Sequence, residues 1–145
     1  MSDFHVAIGD SVSFSKTVGE SDVYGFAGIT GDFANVHVND QYMKGSAYGQ
    51  RIAHGVLLMG YMSTTSSMMI DKSGSESSDE TAVSLGYDRV RFIAPVFIGD
   101  TVTVTYQIKD TDTDRRRSRS DVTAINQHGD TVAVAEHIMK WVKDA

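Results

Sequence analysis

The chain has 145 residues, 41% of them hydrophobic and 22% charged, with a formal net charge of −6. That length fits one domain with a substantial core, so residues 1–145 are read as a single domain. The absence of cysteine excludes disulfides, thiolate zinc sites and cysteine nucleophiles. The negative charge argues against nonspecific nucleic-acid binding but leaves room for a phosphate-bearing ligand held by a local cluster of basic side chains. The amino terminus, Met-Ser-Asp-Phe-His, lacks a basic segment followed by an apolar one, so no secretory signal is read there. The longest apolar stretch, around residues 52–62, is too short to span a bilayer core of about 30 Å at about 1.5 Å per residue. A cytoplasmic, bacterial-type protein without membrane association is the simplest reading.

Asp10 to Val18 alternates, with Val12, Phe14 and Val18 on one side and Ser11, Ser13, Ser15 and Thr17 on the other, which predicts a strand with one buried face. Ser21-Asp22 is expected to cap a short helix whose Val23, Phe26 and Ala27 form an apolar stripe and which stops at Gly31. The stretch 33–49, rich in Gly, Asn, Asp and Tyr, reads as irregular. From Arg51 to Ile70 apolar positions run almost all the way round and no charge intervenes, the pattern of a helix buried on most sides. Residues 71–81 are polar and expected to be mobile. Strands then follow over Ala82–Phe92, Asp100–Lys109, Ser118–Gln127 and Thr131–Val142, the last two joined by a His128-Gly129-Asp130 turn. Val102, Val104, Tyr106 and Ile108 share one face. No repeat or heptad is present. One helix among such strands predicts an α+β domain, with an antiparallel sheet wrapped around the buried helix.

Two elements carry chemistry. Asp32 and His37 place a carboxylate and an imidazole in one tight loop, where they could handle a proton on water. Arg51-Ile-Ala-His54-Gly55 opens the long helix, whose free N–H groups could receive a carbonyl oxygen. Taken alone, Asp32 would be a turn cap and His37 a satisfied imidazole, because local side-chain to backbone bonds are common. With the helix start added, the pair reads as a site.

Gly31-Asp32-x4-His37, Arg51-Ile-x-His54-Gly55 and Arg91-Phe-x-x-Pro95-Val-x-x-Gly99-Asp100, in this order and spacing, resemble the MaoC-like dehydratase / (R)-specific enoyl-CoA hydratase family. The similarity covers about residues 8–142. It implies a hot-dog fold, in which a long helix lies in a curled antiparallel sheet. It also implies (R)-specific hydration of trans-2-enoyl-CoA thioesters, or the reverse dehydration, with Asp32 and His37 as the catalytic pair. The thioester oxygen would be held by backbone N–H at Gly55, within the block Ala53-His54-Gly55 that meets the substrate. A hydroxyl matching the family's serine falls at Ser63. The family's Asn-Pro between the two catalytic residues is replaced by Ala34-Asn35; Asn35 is expected to bond its own backbone and tolerate a left-handed turn. In the family the dimer continues the sheet, so a homodimer, or an oligomer of dimers, is expected. A monomer at micromolar concentration by light scattering would count against this fold.

His54 reads as structural rather than as a proton donor. The five histidines lack metal-ligand spacing, so neither a metal nor a cofactor is expected. Met59, Met62, Met68 and Met69 read as core or tunnel lining. Arg115, Arg116, Arg117 and Arg119 form a solvated hairpin end by default; they compete with Arg51, Arg89 and Arg91 for any phosphates of coenzyme A. Two other classes remain, a hot-dog thioesterase and a non-catalytic acyl-CoA-binding protein. The first is disfavoured because no Asp or Glu stands early in the central helix to direct water at the thioester carbon.

Overall fold

The computed structural model describes residues 4–145. Residues 1–3, part of the segment read as lacking a secretory signal, lie outside the described residues. Five strands form one antiparallel sheet in the order β1 (Ser11–Thr17), β3 (Thr101–Asp112), β4 (Arg117–Ile125), β5 (Thr131–Lys143), β2 (Glu80–Phe92). The long helix α4 (Gly55–Ser73) packs on β1, β3 and β4, with α1 (Glu20–Thr30) alongside, which is the expected α+β layering. Alternation did its work in β3, where Val102, Val104, Tyr106 and Ile108 all face the core. The β4–β5 hairpin turns at Asn126–Asp130, with Gly129 at φ 82°. Among the described residues no helix is long and apolar enough to cross a membrane.

Four local expectations are corrected. Helix α1 starts at Glu20 with Gly19 as its N-cap; Asp22 is not the cap but sits at the third position, where its carboxylate accepts from the Gly19 N–H at 2.8 Å. The 33–49 stretch is not irregular, since it holds two short helices, α2 (Asn35–Val38) and α3 (Asp40–Lys44). The Asn39 side chain caps the second by accepting from the Tyr42 N–H at 3.0 Å. The long helix begins at Gly55 rather than Arg51, because Ala53 donates instead to Val96 O at 2.7 Å and Ile52 bridges to Phe97. It runs on through Asp71–Ser73 to a left-handed Gly74 cap, so the polar stretch 71–81 is helix end, one 3-10 turn and strand start.

Helix α4 is also less enclosed than its composition implied. Leu58, Tyr61, Met62, Thr65, Ser66 and Met69 are buried at helical spacing, while Val56, Gly60, Ser63 and Ser67 form an exposed stripe. Met62 and Met69 are core; Met59 and Met68 lie at its margin.

Two polar clusters fix the edge strand β2. His137 is buried on β5 between Tyr106 Oη on Nδ1 and Ser84 Oγ on Nε2, each at 2.7 Å. Burial pushes its imidazole down to about 4, so it is neutral at pH 7. A neutral ring has one donor and one acceptor, and a hydroxyl can meet either. At the strand's other end, the Glu80 carboxylate accepts from Arg116 Nε at 2.8 Å and pairs with His5 Nε2 at 2.6 Å. Hydrogen bonding from Arg116 holds the Glu80 carboxyl at about 2, against an ordinary 4.5. Because the folded value is the lower one, this pairing stabilises the fold above pH 4.5, and the contribution is lost as pH falls from 4.5 toward 2. Urea midpoints are expected to fall more steeply across that window in the wild type than in Glu80→Gln; identical slopes would remove Glu80 from the acid response.

Candidate active site

Asp32 reaches its position because α1 ends in a left-handed turn at Gly31, φ 85°, whose N–H donates to Ala27 O at 2.8 Å. A side chain at 31 would be strained there. The Asp32 carboxylate then accepts from the Ala34 N–H at 3.3 Å, which turns the chain into α2 and brings His37 back toward it. Asn35 does not take the left-handed turn expected of it: it is the first residue of α2, and its Oδ1 accepts from Asn39 Nδ2 at 3.2 Å. The first helical position is the one where proline is best tolerated, since its N–H has no partner within the helix. Ala34 before it is extended, at ψ 142°, as a residue before proline must be. The backbone at Ala34-Asn35 is therefore one that Asn-Pro could adopt, and the departure gives up the proline's stiffness and an asparagine side chain at 34.

Two backbone carbonyls orient the two histidines. His37 Nδ1 lies 2.8 Å from Ile52 O, a pure acceptor, so Nδ1 carries the proton and Nε2 the lone pair. His54, 2% exposed, donates from Nε2 to Asp32 O at 3.0 Å. Its ring stacks on that of His37 with centroids 3.7 Å apart at 25°, and Phe26 packs on the same ring at 4.7 Å. His54 thus meets Asp32, His37 and Phe26 at once, while its buried Nδ1 has no hydrogen-bond partner.

A carboxylate oxygen of Asp32 and ring nitrogens of His37 and His54 lie within 4.8 Å of one another, close enough to raise the question of a metal ion. Imidazole lone pairs lie in the ring plane, and two rings stacked at 25° with centroids 3.7 Å apart hold theirs in two offset, nearly parallel planes, a poor geometry for sharing one ion. His54 Nε2 is also committed to a carbonyl, which leaves only its buried Nδ1, a nitrogen without a hydrogen-bond partner, to offer a lone pair. The cluster suits a water better than a cation. A water at about 2.8 Å from each of two groups spans such a gap at a near-tetrahedral angle.

Next to His37 opens a cavity of about 310 Å³, lined by Tyr48, Ile52, Ala53, Gly55, Leu58 and Phe92 among others. Gly55 is the first residue of α4, whose leading N–H groups have no carbonyl within the helix and carry the positive end of its dipole. The Phe92 ring lies so close that a Cβ on Gly55 would sit 2.7 Å from it. Ala53, His54 and Gly55 are thus brought to the site with Asp32 and His37. Ser63 is not: it lies about two turns along α4 on the exposed stripe, and hydrogen-bonds Tyr87. A larger depression of about 370 Å³ at the β3–β4 end mixes Arg115, Arg117 and Arg119 with Asp110 and Asp112, and none of the catalytic candidates lines it.

Sequence reasoning missed Ile52, Phe26, Tyr48 and Phe92. Ile52 acts through its carbonyl and leaves no side-chain signal. Phe92 stands in the Arg91-Phe-x-x-Pro95 block and was legible there as a motif position without a role.

A family model described as the MaoC like domain matches residues 3–132. The chain is 37% identical over 100 residues to an (R)-specific enoyl-CoA hydratase of Rhodospirillum rubrum, covering 69% of this chain and 64% of that one. It is 32% identical over 112 residues to a 3-hydroxybutyryl-CoA dehydratase of Methylorubrum extorquens, covering 77% and 66%. The chain therefore spans just under two thirds of the length of these two relatives. A solved (R)-hydratase from A. caviae superimposes with a TM-score of 0.83 at 24% identity, over 93% of this chain and 96% of that one, which shows the shared hot-dog fold.

Proposed function

The chain belongs to the MaoC-like domain family, and from that premise we propose that it adds water to trans-2-enoyl-CoA thioesters with (R) specificity, or runs the reverse dehydration of 3-hydroxyacyl-CoA. The observation that carries this reading is the His37 ring, oriented by the Ile52 carbonyl on Nδ1 and with a ring nitrogen within 4.8 Å of an Asp32 carboxylate oxygen, beside a cavity floored by the start of α4.

In the proposed reaction one water bridges Asp32 and His37 Nε2. His37 takes a proton from it as the oxygen attacks Cβ, and Asp32 holds the second hydrogen and offsets the imidazolium charge. The electron pair of the double bond moves toward the thioester, whose oxygen gains negative charge against the backbone N–H at Gly55. His37 then delivers its proton to Cα on the same face. Atoms and charge balance, and no cofactor enters.

A homodimer belongs to this reading. Strand β2 is an open edge with Val83 and Leu85 exposed, and the uncovered stripe of α4 adds a second face that a further copy could cover.

The test follows crotonyl-CoA and longer enoyl-CoAs by loss of the enoyl absorbance, with free thiol measured separately. Loss of absorbance without thiol is expected. Thiol release without hydration would replace the hydratase by a thioesterase, and α4 has no acidic residue in its first turn to serve one. No turnover at any chain length would leave a binding role.

A further inference from the structure

The chain carries 19 acidic residues against 13 lysines and arginines, enough to give every cation an acid. Among the described residues only Lys72, Arg91, Arg117 and Lys140 have no carboxylate within 4.0 Å. Lys72 and Arg91 each donate to a backbone carbonyl, Ser11 O and Val90 O. Arg117 and Lys140 stand together, because the β4–β5 register sets them directly opposite each other. The next pair in that register, Ser118 and Met139, takes the buried side, so the two cations lie on the sheet face turned away from the core. Like charges directly opposite on a sheet destabilise it unless something neutralises them.

The acids within reach are committed elsewhere. Asp112 is the partner of Arg117 on β3, yet its Oδ1 accepts from the Arg115 N–H at 3.0 Å and its Oδ2 faces Arg115 Nε at 3.8 Å. Glu136 and Asp88 are taken by Arg119, at 3.1 Å each. Lys140 Nζ donates to Arg115 O at 2.9 Å, which anchors the ammonium without neutralising it. The Arg117 guanidinium is hydrogen-bonded to no described residue, and its Nε is buried. A buried donor without an acceptor is costly, and more so on a charged group.

Arg117 also lines the depression of about 370 Å³ at the β3–β4 end, with Arg115 and Arg119 beside it and Leu85 and Ile138 as an apolar side. Small-molecule sites begin at about this size. The depression is not the substrate cavity. Counted along β5 from Lys140 to Ala133, the partner of Phe92, the two lie about 20 Å apart.

We propose that this depression binds the phosphate of a small phosphorylated ligand, held by the Arg117 guanidinium and the Lys140 ammonium, at a site separate from Asp32 and His37. A phosphate dianion supplies what the pair lacks, negative charge and acceptors for the two parallel N–H donors of the guanidinium. Leu85 and Ile138 are placed to receive an apolar group carried by the phosphate. The proposal does not depend on the hydratase reading.

The experiment titrates the full chain with inorganic phosphate, adenosine 5′-monophosphate and adenosine by calorimetry. Sodium chloride at matched ionic strength separates binding from screening. Both phosphates are expected to bind and to raise the thermal midpoint, and adenosine to do neither. Arg117→Gln should weaken both about tenfold, the size of one charged hydrogen bond, with Arg117→Lys in between. In phosphate-free buffer Arg117→Gln should melt at or above the wild-type temperature, because the like-charge pair is gone. Lys140→Gln, which leaves the Arg117 stem in place, should show the same loss of phosphate binding if Arg117→Gln does not fold. Tighter binding of the monophosphate than of inorganic phosphate assigns the site to an organic phosphate; equal affinities assign it to phosphate itself. No binding at millimolar phosphate, adenosine binding as tightly as its monophosphate, or binding unchanged in the variants would overturn the proposal. KM for crotonyl-CoA should be unchanged in Arg117→Gln. A rise matching the loss of phosphate affinity would put the depression on the substrate's path and overturn the claim of a separate site.

Discussion

Replacing His37 with alanine is expected to slow hydration of crotonyl-CoA by about 10³-fold, within the range that a positioned proton-transfer group contributes. The ring is held by one carbonyl and one stacked neighbour, and its Nε2 has no structural bond to lose. The loss should therefore appear in kcat, while the thermal midpoint moves little. Asp32→Asn isolates the charge. The amide oxygen can still accept from the Ala34 N–H, so the turn survives while the carboxylate beside the water is gone. It too should cost about 10²-fold or more. Circular dichroism and a melt on both variants separate chemistry from folding, and full activity in either would remove that residue from the mechanism.

Gly55→Ala should have the next largest effect, for a steric rather than a chemical reason. The new methyl would lie 2.7 Å from the near edge of the Phe92 ring, and both its Cγ and Cδ2 are in the way. Phe92 is fixed in the ladder opposite Ala133 and is 50% exposed, so the ring must swing out over the cavity mouth or α4 must back away. Either response moves the thioester oxygen relative to the helix N–H groups, and displacements of about 1 Å can cost about 10²-fold. Stability pulls the other way, because alanine is favoured over glycine within a helix by up to about 1 kcal/mol. The expected signature is a fall of about 10²-fold in kcat/KM with a thermal midpoint at or near the wild-type value. Wild-type activity in this variant would take Gly55 out of the oxyanion site.

The legible parts of the fold were those with a period. Strands β1 and β3 alternate cleanly, the β4–β5 turn is marked by Gly129, and the apolar run to Ile70 marks α4. Helices α2 and α3, of four and five residues, are too short to show any periodicity; the second rests on one Asn39 cap. The polar stretch before Ala82 looked loose because a run of serine and acid reads as solvated loop, whereas Arg116, distant in sequence, holds Glu80 in the strand. His137 carried no local signal at all, since its partners Ser84 and Tyr106 come from two other strands.

The same division runs through the site. By itself the sequence determined the chemical inventory: a carboxylate at 32, an imidazole at 37, and a glycine opening a helix at 55, in spacings that resemble the family to which the chain belongs. Only the tertiary structure decided which nitrogen of His37 holds the lone pair, that His54 donates to the Asp32 carbonyl, that Phe92 rather than Ser63 meets the cavity, and that Arg91 and Arg117 are left without an acid. The physical reason is common to all four. Proton placement, steric closure and charge compensation depend on groups that meet across the fold through backbone carbonyls and cross-strand pairs, and such meetings leave no period or motif in the chain.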